Sequence, residues 1–148
     1  MSDPHVSGRR VSVERVIDAP RQAIFDVLAD PAMHPVIDGS GTVKRARGNP
    51  ARLGMGSRFS MDMRIGLPYL IRNRVVEFEE GSRIAWRHFH GHRWRYELED
   101  VDGGTLVRET FDWSTARFPR YIEMAGFPEK HPRSMARTLE RLEQHVTG

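Results

Sequence analysis

Arg83-Ile-Ala-Trp-Arg-His-Phe-His-Gly-His-Arg-Trp-Arg-Tyr-Glu-Leu-Glu-Asp-Val-Asp-Gly-Gly-Thr-Leu-Val-Arg-Glu-Thr-Phe-Asp-Trp113 is the stretch from which the fold is read. Two turn signals divide it into three strand-length runs in which apolar and polar residues alternate. Phe89-His-Gly91 suits a three-residue hairpin loop with glycine in the left-handed position, and Val101-Asp-Gly-Gly104 suits a four-residue loop. These turns set His88 opposite His92, Trp86 opposite Trp94 and Ile84 opposite Tyr96. They also set Leu98 opposite Val107, Tyr96 opposite Glu109, Trp94 opposite Phe111 and His92 opposite Trp113. One face then carries Ile84, Trp86, Trp94, Tyr96, Leu98, Val107, Phe111 and Trp113. The other matches Arg83 with Glu97, Glu97 with Arg108 and Arg93 with Asp112. Opposite charges across strands contribute ~0.2–1 kcal/mol each, the behaviour of a solvated face. The apolar face needs a cover.

Working outward, strands are expected at Val11–Ile17, Thr42–Arg47, Ser57–Met63 and Tyr69–Phe78, beside Arg83–His88, His92–Asp100 and Thr105–Trp113. Asp18-Ala-Pro20 reads as a cap with proline just inside a helix that ends at Asp30-Pro31, and a second short helix is expected near 32–37. Met135, Leu139, Leu142 and Val146 form one stripe of a long C-terminal helix, and Pro119 and Pro128 frame a shorter piece before it. Seven strands at hairpin spacing with helices at both ends predict an α+β protein, its antiparallel sheet covered on one face.

Composition narrows the function. The chain of 148 residues has no cysteine, which excludes a disulfide framework, a thiol nucleophile and a cysteine metal site. Met1–Arg10 has no apolar run, and the longest uncharged apolar stretch, Ile65–Ile71, falls far short of the ~20 residues of a membrane span. The expectation is one domain over residues 1–148, cytoplasmic, without an integral membrane segment, as monomer or homodimer. Lys+Arg number 23 against 20 Asp+Glu, and all but two of the basic residues are arginine. That excess first suggests nucleic acid. Trp86 and Trp94, however, face away from Arg87, Arg93 and Arg95, so interleaved stacking on bases is disfavoured and no nucleic-acid partner is expected.

The inner face also holds groups that an ordinary core rejects. Glu109 lies between Val107 and Phe111, opposite Tyr96, and a buried carboxylate must be paired, protonated or wet. His88 and His92 lie further along the same face. A water-containing cavity walled by aromatics accommodates all of these. Glu109 and Tyr96 become the candidate acid/base pair, and His88, Trp86, Trp94, Phe111 and Trp113 the candidate ligand contacts. Phe59, Met61 and Met63 alternate onto the same face, as pocket wall or plain core; Met61 is included among the contacts. Tyr121, Met124 and Phe127 are read as the cavity mouth or a bracket for the long helix, and Gly66-Leu-Pro68 as a rim loop. For Tyr69–Phe78 two registers stay open, one turning Ile71, Asn73 and Val75 inward, the other Arg72, Arg74 and Val76. His88, His90 and His92 lack a neighbouring carboxylate ligand, so no metal and no other cofactor is expected. No nucleophile elbow, phosphate loop or dinucleotide fingerprint occurs.

Several of these segments together resemble the START-like, or SRPBCC, superfamily, in particular its polyketide cyclase/dehydrase-like members. They are Asp18-Ala-Pro20, Ile24-Phe25-Asp-Val-Leu-Ala-Asp-Pro31, Val75-Val-Glu-Phe78, Arg83-Ile-Ala-Trp86, Arg95-Tyr-Glu-Leu98 and Gly104-Thr-Leu-Val107. The resemblance runs from Arg10 to Val146. It implies a helix-grip fold, a curved seven-stranded sheet wrapped around the C-terminal helix, with a deep cavity for lipids, polyketides or other apolar molecules. It carries no catalytic signature. Two functions are therefore weighed: a carrier or sensor of a small apolar ligand, and a cofactor-free cyclase-, aromatase- or dehydratase-like enzyme.

Overall fold

The computed structural model describes residues 4–48, 51–88 and 90–148. Its strands are β1 (His5–Ser7), β2 (Arg10–Ile17), β3 (Val43–Ala46), β4 (Arg58–Ile65), β5 (Leu67–Glu79), β6 (Arg83–Arg87), β7 (Arg93–Val101) and β8 (Gly104–Asp112). They form one antiparallel sheet in the order β1-β2-β8-β7-β6-β5-β4-β3. The sheet therefore has eight strands where the sequence pattern gives seven. The added one, β1, is a short, fully exposed edge strand with no apolar alternation to announce it.

Both hairpin registers hold as read: Trp86 pairs with Trp94, Tyr96 with Glu109 and Trp94 with Phe111. Gly91 adopts φ 92°, as the first loop requires, while Phe89 lies outside the described residues. The second turn is tighter than expected, because Val101 already pairs with Gly104 and leaves only Asp102 and Gly103 between the strands. The register is unchanged because the pairing stays symmetric about the same centre. Gly66-Leu-Pro68 is likewise no loop: Ile65 pairs with Leu67, and Gly66 alone makes the turn. In β5 the open choice is settled, with Asn73 and Val75 buried and Arg72 and Arg74 exposed. A bulge between Val75 and Glu77 then sends Glu77 to the outer face.

On that outer face the expected Arg83–Glu97 pair forms at 3.1 Å, and the other two expected pairs are shifted sideways. Arg93 lies opposite Asp112 but bonds Glu77 Oε2 at 2.8 Å, and Arg108 bonds Glu14 instead of Glu97. Arg95 reaches both Glu77 (2.7 Å) and Asp112 (3.2 Å).

α1 (Arg21–Leu28) follows β2, with Pro20 at its N-cap one position earlier than expected. A 3-10 turn over Pro31–Met33, capped by Asp30, leads into α2 (His34–Ile37). α3 (Pro119–Met124) precedes α4 (Phe127–Thr147), which starts before Pro128 and so runs longer than the apolar stripe shows. The sheet curves over α4. Met135, Leu139 and Leu142 of α4 are buried with Ile24, Phe25 and Leu28 of α1 and with Val11, Val13, Val107 and Phe111 of the sheet. Each such side chain contributes roughly 1.5–3 kcal/mol by leaving water. No helix among the described residues is long and apolar enough to cross a membrane.

Candidate functional site

Between the sheet and α4 lies a cavity of about 840 Å³. Its floor is the registered face of β6–β8. Strand pairing brings Trp86, Trp94 and Phe111 into one row, and Tyr96 and Glu109 into the next. β4 and β5 add Phe59, Met61, Met63, Ile71 and Asn73. The roof is Ile37 and Asp38 with Lys130, His131, Ser134, Met135 and Thr138 of α4. The opening is flanked by exposed apolar side chains, with Ile65 at 67%, Phe118 at 62% and Tyr121 at 65% exposure.

Of the expected contacts, Glu109, Tyr96, His88, Trp86, Trp94, Phe111, Met61 and Tyr121 stand on this wall. Trp113 and Met124 do not, and both expectations are corrected. Trp113 stacks behind Phe111 and donates its indole N–H to Glu123 Oε2 at 2.7 Å, which turns it toward α3. Met124 is 87% exposed at the end of α3.

Glu109 is 3% exposed, and burial raises its carboxyl pKa well above the usual carboxylate range. The Tyr96 hydroxyl hydrogen-bonds it and partly opposes that shift, while the nearby Asp38 charge reinforces it. Oε1 has no partner among the described residues. A neutral carboxylic acid in an apolar wall can donate a proton or a hydrogen bond. The Asp38 carboxylate oxygens accept from the Ser40 hydroxyl (2.7 Å) and the Val43 N–H (3.1 Å).

Histidines mark the other end. Trp94 Nε1–H donates to His88 Nε2 at 3.1 Å, so the His88 proton sits on Nδ1, which has no partner among the described residues. The His92 ring lies 4.7 Å from His88, and its Nδ1 is likewise unpartnered. Burial lowers the His88 pKa to about 3 and those of His92 and His131 to about 4, so all three rings are neutral at physiological pH. No group of three or more His, Asp or Glu among the described residues is arranged to hold a metal ion.

Sequence reasoning missed His34, Asp38, Lys130 and His131. His34 lies on the short α2, where it donates from Nε2 to Leu28 O at 2.8 Å and stacks on Trp86 at 4.7 Å. Nothing local announces it. His131 was within reach, because it stands four residues before Met135 and continues the α4 stripe.

A curved antiparallel sheet closed over a long C-terminal helix, with a roomy cavity between them, defines the helix-grip class of α+β proteins. The chain belongs to the polyketide cyclase / dehydrase and lipid transport family, whose model matches residues 8–147. The uncharacterized protein Rv0088 of Mycobacterium tuberculosis is 38% identical over 146 residues, covering 94% of this chain and 65% of that protein. The chain thus spans about 65% of the length of the curated relatives it matches. Among solved structures, protein CV1439 of Chromobacterium violaceum superposes with a TM-score of 0.74 at 18% identity, covering 95% of this chain and 99% of that one. The AHSA1-like protein of Aeromonas hydrophila gives 0.65 at 20% identity, with 93% and 92% covered. These structural likenesses establish the fold.

Proposed function

We propose that the protein binds a small, largely apolar molecule between sheet and α4, as a carrier or sensor. The cavity carries this reading. About 840 Å³ walled by Trp86, Trp94, Phe111, Met61 and Met135 is room for a ligand, where an ordinary core would be filled. The family description, which joins cyclase and dehydrase chemistry with lipid transport, fits a site of this kind. Native mass spectrometry of the full chain, with titration by the neutral fluorophore N-phenyl-1-naphthylamine, tests it. A co-purifying ligand, or saturable one-to-one uptake of the probe, is the expected outcome. A chain that carries nothing and takes up no probe would overturn it.

A second reading, catalysis without cofactor, is favoured by one observation, the buried carboxyl of Glu109, its pKa raised by desolvation, on the wall beside Tyr96. Such a group could protonate a carbonyl or a leaving hydroxyl of a ligand held against the aromatic row. Under this reading Glu109→Gln abolishes turnover of a polyketide-like substrate while probe uptake persists. Unchanged turnover in that variant removes Glu109 from the chemistry.

A further inference from the structure

The cavity has two chemically different ends. Along β7 and β8 the Tyr96–Glu109 row is followed by the Trp94–Phe111 row, and His92 lies one row beyond. Rows on one face are about 6.8 Å apart, so roughly 14 Å separates Glu109 from His92 along the sheet. At the far end His88, His90 and His92 gather at the β6–β7 turn, the His92 ring lying 4.7 Å from His88 and 6.4 Å from His90. His131 faces them from α4, its ring 5.1 Å from Trp94 and 4.6 Å from Phe111. Lys130 lines the same wall, its Nζ donating to Ala125 O at 3.3 Å.

The groups whose fields act on His88, His92 and His131 are themselves bases. The charges felt at His88 come from His90, His92 and His131, those at His92 from His90 and His131, and that at His131 from Lys130. The remaining ionisable groups of the wall are His34, Glu109, Tyr96, Asp38, Tyr69 and Tyr121. Asp38 acts on Glu109, Tyr96 and Tyr69, at the opposite end. The His88 Nδ1–H is an unused donor, and an unsatisfied buried donor costs about 1–3 kcal/mol until something accepts from it.

We propose that this imidazole end receives the carboxylate of an amphipathic carboxylic acid whose apolar body lies along Trp86, Trp94 and Phe111. The inference rests on the reading of the cavity as an apolar-ligand site and adds its charge preference. An ammonium headgroup is repelled by Lys130 and cannot accept from an imidazole N–H, and a neutral carbonyl accepts from one N–H but gains no attraction from the lysine. A carboxylate accepts from an imidazole N–H and offsets the lysine. Its charge also raises the imidazole pKa values, so binding takes up a proton from solvent onto the histidine cluster.

Dodecanoic acid and dodecanol, titrated into the full chain by displacement of N-phenyl-1-naphthylamine between pH 6 and pH 8, separate the possibilities. The acid should bind about tenfold or more tightly than the alcohol at the lower pH. Its affinity should fall by up to about tenfold per pH unit on raising the pH, the limit for uptake of one proton, while that of the alcohol stays flat. In His131→Phe the acid-to-alcohol ratio should drop toward one and the pH slope flatten. Calorimetry of wild-type protein in buffers of different ionisation enthalpy counts the proton directly, independent of how any variant folds. Equal, pH-independent binding of acid and alcohol overturns this proposal and leaves the apolar site standing. Binding of neither overturns both.

Discussion

Glu109 sits 3% exposed between Val107 and Phe111, where a carboxyl holds its proton. Its unfolded pKa is about 4.3, and its folded value lies well above that. Its contribution to stability is therefore complete below about pH 4.3 and is lost as pH rises through the folded pKa. The cavity histidines act in the opposite sense. Their unfolded pKa is about 6.5, and their folded values are about 3 for His88 and about 4 for His92 and His131. The unfolded chain binds more protons in that window, so stability present above about pH 6.5 is lost on acidification toward pH 4. Each group acts with a slope of up to about 1.4 kcal/mol per pH unit, and three imidazoles outweigh one carboxyl. The melting temperature of the ligand-free protein should thus fall between about pH 7 and pH 5. Glu109→Gln should melt no lower than wild type near pH 8, with the gap closing toward pH 5, because it removes the opposing group. A wild-type melting temperature that rises on acidification would contradict the neutral burial of these rings.

At the scale of elements, the loop after α2 is tied to α4 by an approach that only glycine allows. The Gly39 N–H donates to Thr138 Oγ1 at 2.9 Å, and Thr138 donates to Ser134 O at 3.0 Å. A Cβ on Gly39 would meet Arg137 Cβ at 2.5 Å and Thr138 N at 2.6 Å. Gly39→Ala should therefore destabilise by roughly 1–3 kcal/mol, read as a lower denaturant midpoint at unchanged slope. Because Asp38 is the neighbouring residue, the same change should disturb probe uptake. This contact was invisible in the sequence, where Asp38–Gly41 reads simply as a loop, since it depends on two segments about a hundred residues apart. The β6–β8 registers were legible because local turn chemistry and alternation set them together. β5 was undetermined because both of its faces offer apolar residues, and the Val75/Glu77 bulge changes which face is inward partway along. β1 has no buried face at all, so its pairing with β2 leaves no pattern to read. The aromatic wall could be read from one hairpin pair, whereas its imidazole end required knowing that α4 lays His131 against Trp94 and Phe111.

For the whole molecule, the decisive contrast is between the packed and the open halves of the same interior. Leu139 and Leu142 of α4 are almost fully buried in one cluster with Ile24, Phe25 and Leu28, and Leu139→Ala there should cost about 2–5 kcal/mol. Around the cavity the sign changes. Ile71 lines the opening and is only partly buried, so a larger apolar side chain can enter empty space without compressing a neighbour. Ile71→Trp should leave the ligand-free melting temperature unchanged or raise it, because extra apolar surface is covered, and should weaken uptake of N-phenyl-1-naphthylamine. In wild type, probe at about a hundredfold over its Kd stabilises by roughly 2.7 kcal/mol, a rise of several degrees in the melting temperature. The variant should lose most of that rise at the same probe concentration. If Ile71→Trp instead destabilises like a core substitution while uptake persists, the space beside β5 is not where the ligand lies. The binding region would then have to be sought deeper, along Tyr96 and Glu109.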